Sequence, residues 1–404
     1  MSFLIITLVF GNTIDMFFER QFGNVCLTDA KTIKKECALS VHYVNVGQGD
    51  CIMINLPDGK NMIIDAGQKN GSKPVYSNQS TNNQTAVANH VIGYAKQNIV
   101  GDGEKFDYMV LTHAHEDHVN ILDDVLDEFA VGCVVRSPEF YQNSDDVLLS
   151  QKESELASEC GVTLKTDYNV TTDESMKRFL NRAYMEEDCI MLVTNDSIVW
   201  TGNDADGNQY RIQFFTIDMT EYYNPTKASL KNPNNYSPLI VLSYRNQSIA
   251  FTGDGEKESE QMLISKYGNN LPDVNVFDLA HHGSKTGSII EFVNKLSPEF
   301  AIVSVGEKEI YGLPDEEVLD VLETHNEQLR KRTFSTLEFG DIVVGFDYPN
   351  NKMGNFAVAL SNGLYLRDVQ FRWWQYVLVI MVASFLIIFL PSYNKKHKEN
   401  GVKP

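Results

Sequence analysis

The segment that most restricts the fold is an apolar run, Tyr108-Met109-Val110-Leu111-Thr112, ending in His113-Ala114-His115-Glu116-Asp117-His118. A short apolar run of this kind reads as a buried strand. The polar cluster at its tip then delivers imidazoles and carboxylate to one point. Neutral imidazole and carboxylate suit zinc, manganese or iron, and ligands of this type in sufficient number hold two ions. Three of the chain's nine histidines fall within six positions, a concentration that scattered surface histidines do not produce. The expectation is a metal centre at the end of a sheet strand.

The 404-residue chain has room for an ample core, and its 43% hydrophobic and 22% charged content are those of a globular protein. A formal charge of −20 argues against a wide nucleic-acid-binding surface, which needs a basic patch. A polyanionic substrate would have to be drawn in locally, by metals and a few basic residues.

The termini read differently from the middle. Residues 373–390 (WWQYVLVIMVASFLIIFL) carry no formal charge over eighteen positions, roughly 27 Å as a helix and close to a bilayer's hydrocarbon core. Trp373, Trp374 and Tyr376 flank one end, and Pro391, Tyr393, Lys395, Lys396 and Lys398 the other, which predicts a single membrane-spanning helix. The lysines of the tail outnumber Arg367 and Arg372, so the expected topology is a cytosolic tail with the large domain extracellular or lumenal. Phe3 to Phe10 resembles a short signal-peptide core without a preceding basic residue. The expected organisation is a signal or anchor segment over 1–30, one domain over 31–366, the membrane helix over 373–390 and a basic tail over 391–404. The six cysteines include no zinc-type CxxC, and Cys26 with Cys37 and Cys133 with Cys160 are candidate disulfides.

Between the ends, strand-like and helix-like segments alternate. Residues 39–46 and 51–56 flank the turn Gly47-Gln48-Gly49-Asp50, and Pro57-Asp58-Gly59-Lys60 turns the chain into a strand over 61–65. Helical spacing covers 85–99, 120–129 and 148–160, with a strand over 131–136. The stretch 165–235, rich in Asn, Asp and Thr, reads as loops with a few strands. Strands over 238–244 and 247–252, two helix–strand alternations to about 304, and short strands near 332–334, 341–346 and 355–360 complete one α/β domain.

Three further constellations end strands. They are Asp65-Ala66-Gly67, Thr252-Gly253-Asp254-Gly255, and Phe277-Asp278-Leu279-Ala280-His281-His282-Gly283-Ser284. Alone, the first two are ordinary turns. Glycines on either side of Asp254 let the backbone turn sharply and expose the carboxylate at the strand tip. Adjacent residues on a strand point to opposite faces, so one of His281 and His282 is expected as a ligand. Five of the nine histidines sit in strand-end motifs, which raises the weight of each.

The ordered set VNVGQGDCIMI, PDGK, MIIDAG, LTHAHEDH, NNYSPLIVL, FTGDG and LAHHGSKTG resembles the metallo-β-lactamase fold. Within it, the set is similar to the branch that contains the hydrolase domain of the ComEC competence protein and bacterial phosphorylcholine esterases. The resemblance runs from about Leu39 to Leu360. It implies a four-layer αβ/βα sandwich with two divalent cations, zinc or manganese, at the sheet edges. His113 and His115 would serve one metal, Asp117 and His118 the other, with Asp254 bridging and His281 or His282 completing the second site. Asp65 would orient ligands from the outer shell. One departure stands out: no histidine occurs from Val119 to Ala280, where many superfamily members place another ligand.

The two implied metals would supply a hydroxide nucleophile, which Asp117 would orient, and a leaving oxygen would be stabilised by metal or protonated by whichever of His281 and His282 is not a ligand. Ser284, Lys285 and Thr286 form a hydroxyl–ammonium–hydroxyl run suited to a phosphate oxygen. The leading expectation is a membrane-anchored phosphodiesterase or nuclease acting on a phosphodiester, including single-stranded nucleic acid, or another small ester. Alternatives are a lactone, amide or other ester hydrolase of the same fold, or a non-catalytic membrane-anchored binding domain. No protein partner is expected, and a single span gives no channel for DNA transport.

Overall fold

The computed structural model describes residues 25–67, 69, 85–101, 105–306, 312–348 and 356–361. All of its elements lie in one compact unit, Met1–Ser361. A second unit, Asn362–Pro404, lies outside the described residues.

Two sheets form the centre. From edge to edge, the nine-stranded sheet runs Val25–Thr28, Phe356–Leu360, Ile342–Phe346, Leu39–Tyr43, Ile52–Asn55, Asn61–Ile64, Lys105–Leu111, Ala130–Arg136 and Ile190–Val193. The seven-stranded sheet runs Val199–Asn203, Gln209–Phe215, Leu239–Tyr244, Gln247–Phe251, Val276–Asp278, Phe300–Val303 and Thr333–Ser335. In each sheet one flank is parallel. Asn61–Ile64, Lys105–Leu111, Ala130–Arg136 and Ile190–Val193 run together, as do Gln247–Phe251, Val276–Asp278, Phe300–Val303 and Thr333–Ser335. Parallel strands are buried on both faces and read as apolar runs, which is why Tyr108–Leu111 and Ile249–Phe251 lack the alternation of an exposed strand.

Helices cover the outer faces. Thr85–Asn98, Leu122–Glu128 and Glu174–Ala183 pack on the nine-stranded sheet, where Val91, Val125 and Phe179 meet Met109 and Leu111. Lys257–Tyr267, Ile290–Leu296 and Glu316–His325 pack on the other, where Leu263, Phe292 and Leu322 meet Ala250, Phe277 and Ala301. The inner faces meet each other: Tyr108 stacks on Trp200 with centroids 4.1 Å apart, and Phe300 meets Phe356 edge-on at 5.3 Å. The order helix, sheet, sheet, helix is the expected four-layer sandwich.

Several expectations change. The membrane helix is corrected: among the described residues no helix is long and apolar enough to cross a membrane. The longest of them, Thr85–Asn98, has 14 residues, roughly 21 Å against a hydrocarbon core of about 30 Å. The predicted span 373–390 lies outside the described residues; the described part of the fold includes no transmembrane helix and gives the single-pass membrane placement no support. Phe3 to Phe10 also lies outside them, while Val25–Thr28 pairs in the sheet with Phe356–Leu360. Cys133 and Cys160 are free thiols, as are Cys37, Cys51 and Cys189, so the candidate pairings of Cys133 with Cys160 and of Cys37 are not made. The stretch read as loops holds a helix, Glu174–Ala183, whose start is capped by the Asp173 carboxylate on Ser175 and Met176 and whose apolar side buries Met176, Phe179 and Leu180.

One buried ion pair ties the outer helix Val147–Glu159 to the strand Ala130–Arg136. The Arg136 guanidinium donates to both carboxylate oxygens of Glu153 at 2.9 and 2.8 Å, both side chains being fully buried. Glu153 also accepts from the Tyr141 backbone N–H and the Tyr184 hydroxyl. Removing one partner leaves a buried charge unpaired, so Glu153→Ala is expected to cost about 3–5 kcal/mol in urea unfolding. A loss under about 1 kcal/mol, the range of an exposed pair, would contradict this placement.

Candidate metal centre

The carboxyl ends of the parallel strands in both sheets converge on one edge of the sandwich, where α/β sheets place their ligands. Asn61–Ile64 ends in Asp65, Lys105–Leu111 in the run His113 to His118, Gln247–Phe251 in Asp254, and Val276–Asp278 in His281 and His282.

Backbone geometry at these tips is specific. Asp254 follows Gly253, which has φ +48 and whose Cβ would press on Thr112 and Ser237 at 3.0 Å. Gly49 (φ +130) lies against the backbone of Asp117, where a Cβ would sit 2.4 Å from the carbonyl oxygen. Only glycine lets the 47–50 turn approach the histidine loop this closely. The Asp50 N–H then donates to that same Asp117 carbonyl at 3.2 Å.

Each imidazole on the second-site side is held by one nitrogen and leaves the other pointing inward. His118 Nδ1 meets Asp65 Oδ2 at 2.8 Å, and His282 Nδ1 donates to the Ser304 carbonyl at 2.9 Å. Asp65 in turn accepts from the Thr112 N–H at 2.8 Å and the Thr112 hydroxyl at 2.6 Å, the orienting position expected for it. His118 Nε2 lies 3.2 Å and His282 Nε2 3.5 Å from Asp254 Oδ1, while His282 Nε2 is 3.3 Å from Asp117 Oδ2. On the other side His113 Nε2 is 3.1 Å from His115 Nδ1 and 3.6 Å from Asp254 Oδ2.

The described donors fall into three groups, each gathered within 4.8 Å: Asp117, His118, Asp254 and His282; His113, His115 and Asp254; and Asp50, Asp65 and His118, the last on the Nδ1 side that Asp65 already engages. Among the described residues, His118 Nε2, His282 Nε2 and Asp254 Oδ1 are buried without a hydrogen-bond partner. Buried polar atoms are rarely left so. Three of them facing one point, with the opposite ring nitrogens already engaged, fit a cation and its second shell. The donor set of imidazole nitrogen and carboxylate oxygen is that of a divalent transition-series ion.

Electrostatics point the same way. Burial disfavours charge on every member, yet Asp254 and Asp65 hold His118 well above the ordinary imidazole range. Against the same burial, Asp254 and Asp50 push His282 up to about 10. Burial works to raise Asp254 and Asp117, and the facing imidazoles outweigh it, holding both below the usual carboxylate range. Burial and the neighbouring His118 keep His113 well below the imidazole range, hence neutral. Without metal, the surrounding carboxylates favour the protonated forms of His118 and His282.

A cavity of about 610 Å³ opens over the group, lined by Gln48, Glu116, Asp117, Asn234, Ser284, Lys285, Leu313 and Asp315 among others. Every residue predicted as a ligand reaches the centre or its wall. Of the three predicted substrate contacts, Ser284 and Lys285 line the cavity, while the Thr286 hydroxyl lies 2.7 Å from His281 Nδ1. The expectation that only one of His281 and His282 faces the site is corrected. Both leave the strand in left-handed backbone, with φ 53 and 55, and strand alternation no longer applies. The sequence reading gave no role to Asp50, although it lies inside a quoted motif: its carboxylate sits 3.6 Å from His282 Nδ1 and 3.9 Å from His118 Nδ1. Asn234, Leu313 and Asp315 had no signal of their own.

Residues 44–166 match the Metallo-beta-lactamase superfamily. The chain is 25% identical to ComE operon protein 3 of Bacillus subtilis over 324 residues, which is 79% of this chain and 34% of that one. It is 32% identical to competence protein ComA of Neisseria gonorrhoeae over 133 residues, 33% of this chain and 19% of that one. The chain therefore spans about a third or less of these relatives. Among solved structures, the metallo-beta-lactamase fold protein YhfI from Bacillus subtilis matches with a TM-score of 0.34 and 10% identity, over 74% of this chain and 95% of that one.

Cations must displace the protons on His118 and His282, so raising the pH favours binding. Zinc affinity of the metal-free protein is expected to climb between pH 6 and 8 by about one to two factors of ten per unit, one for each proton released. Titration calorimetry in buffers of different ionisation enthalpy measures the released protons. An affinity independent of pH would contradict the assignment.

Proposed function

We propose, for a chain that is a ComEC-like protein of the metallo-β-lactamase fold, a metal-dependent hydrolase that acts on phosphodiester bonds. The observation that carries the metal dependence is that His118 Nε2, His282 Nε2 and Asp254 Oδ1 converge, buried and without a hydrogen-bond partner. Nitrogen-rich donors favour zinc over magnesium or calcium, with manganese as the alternative. His113 and His115 would hold one ion, Asp117, His118 and His282 the other, and Asp254 both.

Two such ions, when bound, supply Lewis acidity to the scissile group and a water of lowered pKa. The chain's own residues do the rest. Asp65 and the Ser304 carbonyl fix the tautomers of His118 and His282, so that Nε2 faces inward on both rings. Asp117 is partly exposed beside the cavity, which supports a role in orienting an attacking water. Lys285 supports the phosphodiester reading: it lines the cavity, and its largely exposed side chain is held only by a 3.9 Å ion pair with the exposed Glu317, a weak pairing that a phosphate oxygen would replace. Glu116 and Asp315 share that wall. With a formal charge of −20 on the chain, the reading is confined to small diesters or a single strand threaded past the cavity, and excludes extended duplex.

The test is hydrolysis of bis-p-nitrophenyl phosphate by the zinc-loaded full-length protein. Asp254→Ala is expected to lower kcat/KM by more than roughly 100-fold, beyond the 10- to 100-fold typical of outer-sphere partners. Lys285→Ala should raise KM more than it lowers kcat, as loss of uniform binding does. Zinc binding without cleavage of the diester would overturn the phosphodiester reading in favour of another ester or amide.

A further inference from the structure

The two sides of Asp254 are unequal. One is closed by Asp117, His118 and His282, whereas the other gathers only His113 and His115 with the shared carboxylate. Catalytic zinc takes three protein ligands and a water and expands to five-coordinate in some sites, so a further protein ligand here would sit beside that water, and the chain has no histidine from Val119 to Ala280 to supply one.

His281 stands just outside the smaller group, on the flank of the carboxylate oxygen that faces it. Its Nε2 is 3.6 Å from Asp254 Oδ2, the oxygen that His113 Nε2 also approaches at 3.6 Å. His282 Nε2 lies by the opposite oxygen, Oδ1. Two ligand atoms on one tetrahedral zinc stand roughly 3.4 Å apart, given bonds near 2.0–2.1 Å; His281 has that spacing to Asp254, while it lies beyond 4.8 Å from at least one of His113 and His115 and would close on them when the cation binds.

Its hydrogen bonds assign the ring. The Thr286 hydroxyl donates to Ser284 Oγ at 3.2 Å, which leaves its oxygen to accept from His281 Nδ1–H at 2.7 Å. Nε2 then carries the lone pair. The Asn234 amide nitrogen, a donor, faces that atom at 3.4 Å, which requires the same tautomer. The backbone supplies the direction: His281 and His282 are consecutive left-handed residues, and this turns both rings toward Asp254, where a strand would send them apart.

We propose that His281 Nε2 is the remaining protein ligand of the cation held by His113, His115 and Asp254, with Thr286 as its positioning residue. The proposal rests on the dinuclear centre described above. Thr286 thereby belongs to the metal's outer shell and not to a phosphate site.

The test is zinc titration of the metal-free full-length protein against a chelator, repeated with cobalt to read the visible absorption of each equivalent. Wild type is expected to bind two equivalents. His281→Ala and His281→Gln should keep one at wild-type affinity and weaken the other by at least about tenfold, with loss of its cobalt band. Thr286→Val should weaken that same equivalent by about 10- to 100-fold. His282→Ala should weaken the other one. Two equivalents at wild-type affinity in both His281 variants would overturn the proposal while leaving the dinuclear centre intact. Loss of both in variants with native circular dichroism would also overturn it, since His281 would then serve both sites. Failure of wild type to bind zinc or cobalt would instead remove the metal centre itself.

Discussion

A single buried carboxylate, that of Asp254, is the constraint on which the rest of the site depends. It is almost wholly withdrawn from solvent, and an isolated ionised carboxylate there would cost several kcal/mol. The fold answers with imidazoles from both halves of the chain: His113 and His118 from the nine-stranded sheet, His281 and His282 from the seven-stranded one. The two oxygens divide them, Oδ1 toward His118 and His282 and Oδ2 toward His113 and His281. Asp254 is therefore the electrostatic joint of the two sheets, and in the proposed centre it would hold both cations.

The supports around it are shared. Ser237 Oγ accepts from the Asp254 N–H at 3.2 Å and lies 3.3 Å from His113 Nδ1. Thr112 donates twice to Asp65, and the Asp65 carboxylate also holds His118. A shift of one support reaches at least two donors. Such sharing explains why the tips are built from sharp turns: Asp65, Gly253, His281 and His282 all have positive φ. Each turn stops its strand abruptly and leaves the side chain at the sheet edge, so that two parallel ladders present donors to one point.

Much of this was legible in the sequence because the chemistry is dense there. Buried parallel strands leave short apolar runs, and His113 to His118, Asp254 and the histidine pair each follow one, so the α/β class and the candidate residues could be read from strand ends, whereas the four-layer sandwich and the ligand set came from the resemblance to the metallo-β-lactamase fold. Conformation was less legible. A strand's alternation argues for one ligand from His281 and His282, and nothing in residue type announces that both adopt left-handed backbone. Thr286 read as a phosphate contact by position, whereas its hydroxyl spans from Ser284 to His281. Asp50 carried no signal of its own role, because a turn aspartate and one buried beneath two imidazoles look alike in sequence. The helix Glu174–Ala183 was hidden in a polar stretch, its start marked only by Asp173. Residues 373–390 show the opposite limit: an apolar pattern alone proposes a span, and among the described residues no helix meets the length and apolarity of one.

The most direct measurement is anomalous diffraction from crystals of the full-length protein grown with zinc, collected at the zinc edge. The account predicts two peaks a few ångströms apart on either side of Asp254, roughly 3.5–4 Å as in other two-metal sites. One should lie toward His113 and His115, the other toward Asp117, His118 and His282. A lone peak away from Asp254, or none with the cage collapsed onto direct histidine–carboxylate hydrogen bonds, would contradict it.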